Sequence, residues 1–499
     1  MAACDGHTRR ETAAPPGAGR PGHPWWILGV VQLGHLMSSM DGAMVAIALP
    51  SMASRTGIPI DTLQWVVTAY YLTCAIAMLV AGRLGDRLGR GRLFTFGFVL
   101  FTAASAGSAL APDLPLLIAS RVLQAVGAAS LLANGNAIIT STFADGRRGF
   151  ALGFNSTILA GGAAFGYVAG GWLVDSLGWQ AVFLVNLPVG LVATALALAV
   201  LDRRPPSAAT AGRFDVAGAT LLALATAGLL VGLDRLGHRQ ALTADVLALF
   251  AGSLAALAAL VAVERRTTAT PLLPLAVFGR RNVAVGLVSI ALFCSLLAAN
   301  GILMPLYLQG VLGISASEAG LVLAPVSLAL CVMAPLSGLL ADRFNAVWLM
   351  VGGAILAMGV AMGFACLGTA GPLVAVAGGQ LVIGLAAGLF FSPNRVVLFS
   401  GLADHYLGVV SGLMQLTRQI TYAAATSVAT LSLAISVAGH GDLSRLKAAG
   451  PADAAFNAAV VGGMSSVYRV LAMVLAVTAV LCVWHALSRR PHRAAMPAE

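Results

Sequence analysis

Hydrophobic positions fall into long runs separated by short polar breaks. Fourteen apolar segments lie near 25–51, 62–81, 93–111, 114–139, 149–173, 179–201, 215–233, 243–263, 283–311, 317–341, 346–368, 372–394, 406–436 and 466–487. Segments of about 20 residues cross a hydrocarbon core of about 30 Å as helices. None has the alternating ten-residue pattern of a barrel strand, and a helix satisfies its own backbone polar groups in lipid. The pattern predicts an all-α polytopic membrane protein with fourteen transmembrane helices. An even number of crossings puts both termini on one side.

The polar breaks decide which side. The run Gly82-Arg83-Leu84-Gly85-Asp86-Arg87-Leu88-Gly89-Arg90-Gly91-Arg92 sits as a loop between the second and third segments. Arginines in short loops hold those loops on the cytoplasmic face. With both ends inside, 21 arginines fall in cytoplasmic loops and tails, among them Arg147, Arg148, Arg343 and Arg395. Five basic residues fall outside and three (Arg121, Arg418 and Arg469) within or at the end of spans. The asymmetry predicts cytoplasmic termini.

Composition agrees. Of 499 residues, 59% are hydrophobic and 10% charged, with a mean hydropathy of +0.90. Soluble chains carry about 25% charged residues. The net charge of +10 is spread over short loops, which argues against nucleic-acid binding. All basic residues but Lys447 are arginine, a bias that fits a high-GC bacterial genome. Five of the six cysteines (Cys74, Cys294, Cys331, Cys366 and Cys482) fall in apolar segments without metal-ligand spacing and read as small buried hydrophobes. Residues 1–24 are polar and rich in Pro and Gly, which predicts disorder rather than a signal peptide.

A faint repeat divides the chain. Gly338-Leu339-Leu340-Ala341-Asp342-Arg343 echoes Gly82 to Arg87. Residues 25–201 and 283–487 then form two six-helix halves, with two extra helices at 215–263 between them. Linkers fall at 202–214 and 264–282, and a tail at 488–499. Parallel halves of this kind are a transporter architecture. The segment 437–465 reads as the longest outside loop.

Few residues within the spans carry charge. Asp41, in the first span, is the acid placed firmly inside the membrane. Such a carboxylate marks a proton or ion pathway, or a structural pairing with an arginine. Arg121 lies seven residues into the fourth span, roughly 10 Å deep, and Asp41 nine residues before Pro50, roughly 14 Å deep. Similar depths predict one shared polar cavity, with a direct pair as one arrangement and Arg121 bonded to backbone carbonyls as the other. Gly162, Gly166 and Gly170 repeat every four residues, a close-packing helix face. Arg418, near the middle of span thirteen, needs water, carbonyls or a carboxylate. His35, Gln124, Asn134, Asn300 and Gln380 are further intramembrane polar groups that line a cavity or tie helices together. No phosphate-binding loop, metal cluster or nucleophile motif appears, so neither cofactor, metal nor enzyme activity is expected.

The run at 82–92, Asp41 with Ala48-Leu49-Pro50, Arg121 with Gln124, the glycines of span five, Gln64 to Tyr70 and Asn186-Leu187-Pro188 together resemble the fourteen-span drug:proton antiporters of the major facilitator superfamily. The resemblance covers about residues 25–490. It implies that Asp41 and Arg121 join proton coupling. It implies that Gly82, Asp86, Arg87, Gly89 and Arg90 form a cytoplasmic latch between the halves. It assigns Gly162, Gly166, Tyr167, Gly170 and Gly171 to an antiporter helix motif, and lines a central cavity with spans one, four, nine and twelve. Tyr167 stands where the family has proline after its central glycine, and Ala43 and Ala46 where it has threonine and asparagine. No second buried acid appears in the C-terminal half, with Glu318 at the outer mouth and Asp404 at the inner one, which argues against strong selection for cations.

The expected function is proton-coupled export of an amphipathic drug or antibiotic across the bacterial plasma membrane. The partners would be that drug-like molecule, protons and the lipid bilayer, with the monomer as working unit. Uptake of a small metabolite and a non-transporting membrane sensor with the same fold are the alternatives.

Overall fold

The computed structural model describes residues 24–143, 145–201, 216–239, 242–266, 277, 279–402, 404–437 and 454–488. The expected N-terminal tail, the 202–214 linker, most of the second linker, the outside stretch 438–453 and the tail from 489 lie outside the described residues. The described chain is helical, as its apolar runs require. The long helices are α1 (Pro24–Thr56), α2 (Trp65–Leu88), α3 (Arg90–Ala109), α4 (Leu114–Thr142), α5 (Asp145–Leu177), α6 (Asn186–Val200), α7 (Val216–Arg239) and α8 (Ala244–Arg266). They continue with α9 (Arg281–Leu306), α10 (Ala316–Arg343), α11 (Ala346–Ala365), α12 (Leu373–Phe399), α13 (Asp404–Val437) and α14 (Ala454–Leu487).

Twelve helices among the described residues are long and apolar enough to cross a membrane, or thirteen if the bent α2 is one span. α2 bends by 43° after Met78. The apolar part of α7, Ala217–Leu233, is shorter. These two account for the difference from the fourteen expected spans. Large apolar side chains such as Phe165, Trp172, Leu191 and Val374 point outward without protein cover, as lipid-facing residues do.

Local chemistry sets the boundaries. Asp113 caps α4 by accepting from the Leu116 amide at 2.9 Å, and Ser315 with Glu318 forms a capping box on α10. The polar run at 82–92 is not an open loop. Residues 82–88 complete α2, Arg90 opens α3, and Gly89 alone joins them at φ 100°. That left-handed value suits a residue without Cβ. α14 begins at Ala454, twelve residues before the expected start, because Ala- and Val-rich sequence continues the helix outward. Cys366 is exposed at the end of α11 rather than buried.

Packing repeats between the two ends of the chain. α2 lies on α4, α3 on α4 and α6, and α1 on α5. The same neighbours recur as α10 on α12, α11 on α12 and α14, and α9 on α13. The sets meet along two seams, α5 against α10 and α2 against α13. α7 and α8 pack on each other, and α7 leans on α13 and α2 at the second seam.

Many bonds that cross between the sets lie at the end away from the arginine run. Asp175 accepts from the Ala316 and Ser317 amides at 3.2 and 2.8 Å and from the Ser317 hydroxyl at 2.6 Å. Gln309 Nε2 donates to the Ile47 carbonyl at 2.9 Å, and Thr430 donates to Gln64.

Candidate functional site

Asp41 sits in the middle of α1 with none of its surface exposed. Burying a carboxylate is costly unless it is paired and hydrogen-bonded. Four other helices supply what it needs. Arg121 Nη1, from α4, reaches Asp41 Oδ2 at 2.7 Å. Gln124, one turn on, donates from Nε2 to Asp41 Oδ1 at 2.8 Å and accepts from Arg121 Nη1 at 2.6 Å. Asn186 Nδ2, at the start of α6, gives Asp41 Oδ1 a further bond of 2.9 Å. Arg121 Nε donates to the Val66 carbonyl of α2 at 3.1 Å, and Gln124 Nε2 also bonds Ser105 Oγ of α3 at 2.8 Å. The two arrangements expected for Arg121, ion pair and carbonyl bond, occur together.

Aromatic rings close the sides. The Arg121 guanidinium lies 4.2 Å over the Tyr70 ring and 5.7 Å from that of Phe183. Tyr70 OH is 3.3 Å from Ser38 Oγ.

A cavity of about 300 Å³ lies between the two helix sets. Here the expectation of a shared polar cavity needs correction. Asp41, Arg121 and Gln124 do not line it; Ser38 and Tyr70, whose ring lies against the Arg121 guanidinium, do. A pair that satisfies its own charges packs away from open volume. The cavity wall also comes from more helices than expected. Besides α1, α4, α9 and α12, it uses α2, α5, α10 and α13, because both seams open onto it.

Across the cavity the second helix set holds a neutral cluster. Asn300 of α9 and Gln380 of α12 exchange two amide bonds, at 2.9 and 3.2 Å. Tyr468 of α14 donates to Asn300 Oδ1 at 3.0 Å. Asn300 lines the cavity, while Gln380 is fully buried behind it.

The model of the Major Facilitator Superfamily matches residues 32–426. The chain belongs to the major facilitator superfamily. Within it the chain falls in the drug-efflux family, whose members include proteins named for antibiotic and multidrug export. The tetracenomycin C resistance and export protein of Streptomyces glaucescens is 30% identical over 85% of this chain and 79% of its own. The riboflavin transporter of Clostridioides difficile is 31% identical over 81% of this chain and 87% of its own. A bacterial homologue of the human lysosomal transporter Spinster shares the fold, with a TM-score of 0.65 at 15% identity over 94% of this chain and 98% of that one.

The remaining superfamily residues separate into groups. Gly166 and Gly170 of α5 let it press onto α1: a Cβ on Gly166 would lie 2.6 Å from the Met40 carbonyl, and one on Gly170 2.9 Å from Met44 Cγ. Gly162 meets Ser39 and Leu36 of the same helix, whereas Gly171 faces the Ala316 carbonyl of α10. Tyr167, in an unbroken helix, lines the cavity. In the polar run, Asp86 accepts from Arg90 Nε at 3.0 Å, and Arg90 Nη1 bonds the Ala137 carbonyl at 3.4 Å. Both bonds stay within the first helix set. Gly82 has open space around it, and Arg87 lies in the last turn of α2.

Besides Gln124 and Gln380, two further expected lining residues lie elsewhere. His35 is buried against Gly135 of α4, with both ring nitrogens lacking a hydrogen-bond partner. Asn134 donates to the Ala81 and Ser130 carbonyls at 3.3 and 2.9 Å and ties α4 to α2. Arg418 does line the cavity. So does Arg395, which the apolar pattern placed in a loop; α12 continues to Phe399 and carries it inward. Asn186 and Tyr70, legible only as parts of family-like runs, turn out to complete the carboxylate site. Among the described residues no group of His, Cys, Asp and Glu could hold a metal ion.

Proposed function

We propose that this protein is a proton-coupled antiporter that exports an amphipathic, drug-like compound across the bacterial plasma membrane. The reading rests on one observation: a fully buried carboxylate, Asp41, whose charge is balanced by Arg121 next to a central cavity. Protonating Asp41 would cancel the ion pair and leave Arg121 held only by neutral acceptors and rings. That change would reset how α1, α2, α4 and α6 grip one another. Tyr70 touches Arg121 on one side and the cavity on the other, so drug and proton would each sense the other's presence.

In this scheme fourteen spans, both termini cytoplasmic, form two six-helix halves with α7 and α8 inserted, and a monomer suffices. The halves rock about the cavity. Drug enters from the cytoplasm and leaves outside. A proton then binds Asp41 from outside, permits the return, and is released inside. The polar run from Gly82 to Arg92 acts as a latch that engages the other half when the cytoplasmic side shuts. The similarity to exporters of antibiotics supports the direction of transport. The relative named as a riboflavin transporter supports a second reading, movement of a small metabolite.

The test is fluorescent-drug uptake into inside-out vesicles under an imposed proton gradient, with wild type beside Asp41→Asn. Gradient-driven uptake that the mutant loses is expected. Equal uptake by both would remove Asp41 from coupling. Failure to move any drug would leave the metabolite reading or a sensor.

A further inference from the structure

The cavity described above has an unequal charge. Two guanidiniums line it, Arg395 from α12 and Arg418 from α13, and among the described residues no carboxylate does. The nearby acid, Asp41, is sealed off and already matched by Arg121. Arg418 is held by neutral groups: its Nη1 donates to Gln415 Oε1 at 3.2 Å, and Tyr422 and Cys294 lie against it. Its Nε is shielded from solvent and has no hydrogen-bond partner. A buried donor without a partner favours any ligand that supplies an acceptor. A guanidinium in a low-dielectric cavity favours a charged one, and its planar fork suits a carboxylate or similar oxyanion.

The rest of the wall is aromatic. Tyr71 of α2 and Tyr422 of α13 stack across the seam, with ring centroids 5.3 Å apart and planes 22° from parallel. Tyr70, Tyr167 and Phe391 face the same space, and Phe391 lies 5.7 Å from the Arg418 guanidinium. Flat rings bind flat rings through offset or edge contacts.

We propose that the cavity takes a planar aromatic anion, its negative group set on Arg418 and its rings among these tyrosines. This deepens the export reading and rests on that cavity being the transport site. It excludes the lipophilic cation as preferred cargo, because a cation would meet the Arg418 charge and, among the described residues, no lining carboxylate.

The experiment is equilibrium binding to the full-length protein in lipid nanodiscs with no proton gradient, read by fluorescence anisotropy. The probes are fluorescein, an aromatic anion, and rhodamine 123, a cation of similar shape. Wild type should bind fluorescein at least about tenfold more tightly than rhodamine 123. Arg418→Gln should weaken fluorescein about tenfold or more, the loss of one charge-assisted bond, and Arg418→Lys should recover part of that. Tighter or equal binding of rhodamine 123, no binding of either dye, or fluorescein binding unchanged in Arg418→Gln would each overturn the proposal. The dye comparison on wild type stands even if Arg418→Gln fails to fold. Fluorescein binding through Arg418 without gradient-driven flux would sink the antiport reading and leave this one standing.

Discussion

The first and second helix sets place polar clusters at matching positions but fill them with different chemistry. Counted within each set, the first, fourth and sixth helices contribute in both. In the first set these are Asp41, Arg121 with Gln124, and Asn186. In the second they are Asn300, Gln380 and Tyr468. Asn186 and Tyr468 play the same part, each donating to one oxygen of the residue on the first helix. The bonding scheme is shared; the charge is not. An amide pair satisfies itself and does not titrate near neutral pH. A carboxylate held by a guanidinium has two states that differ by a full charge. One set therefore holds a buried ion pair, and the other a neutral amide pair in the matching place.

This contrast can be attacked in order of expected effect. The largest loss should follow Arg121→Ala, which leaves the Asp41 charge buried without its partner. Breaking such a pair costs about 3–5 kcal/mol, so the purified variant should show a steep fall in thermal unfolding temperature in detergent. Asp41→Asn with Arg121→Gln should recover much of it, since neutral partners bond as they do in the second set. A double variant no more stable than Arg121→Ala alone would dissolve the parallel.

Next comes Asn300→Ala, which removes both bonds to Gln380 and the acceptor for Tyr468. Neutral buried groups left unsatisfied cost about 1–3 kcal/mol. Its unfolding temperature should drop less than that of Arg121→Ala, and gradient-driven uptake should keep its dependence on the proton gradient. A drop as large as that of the arginine variant would mean that charge is not what separates the two clusters.

The α1–α5 contact sharpens the comparison further. Gly166→Ala forces a Cβ against the Met40 carbonyl, one residue from Asp41, and overpacking of this kind costs about 1–3 kcal/mol. Gly161→Ala, with nothing within 4 Å of the new atom, is the matched control and should be neutral. Unequal unfolding temperatures are expected; equal ones would show that close approach of α5 to α1 is unimportant.

The smallest effect belongs to the surface. Asp86 and Arg90 pair at 2.9 Å with about four-tenths of each side chain exposed. Asp86→Asn should change stability by about 0–1 kcal/mol. A role as a latch would therefore show in transport rate rather than in unfolding.

Much of this was legible in the residues alone. Hydropathy has a length scale set by the bilayer, so the helical class and rough boundaries follow from the apolar runs. Asp41 and Arg121 stand out because charges within such runs are rare, and counting residues from each end placed them at similar depth. The glycine spacing of α5 announced a close helix contact, although not that its partner is α1.

Other features needed the third dimension. Asn186, Tyr70 and Tyr468 are ordinary polar residues in apolar runs, and only the packing of distant helices brings them to Asp41 and Asn300. Arg395 looked like a loop residue because hydropathy marks where a run of apolar residues ends, not where a helix does. His35 and Asn134 looked like lining groups, yet the helix rotation turns them into the packed interior. Whether a buried charge faces a cavity or is shut away depends on which neighbours satisfy it, and those of Asp41 lie 80 to 145 residues away in sequence. Sequence alone determined that this chain is a helical membrane protein with an acid and a base, Asp41 and Arg121, at similar depth. The tertiary structure decided that the pair is sealed and that Arg418 of the second set lines the cavity, because hydrogen-bond satisfaction is settled by contacts between helices rather than by position along one.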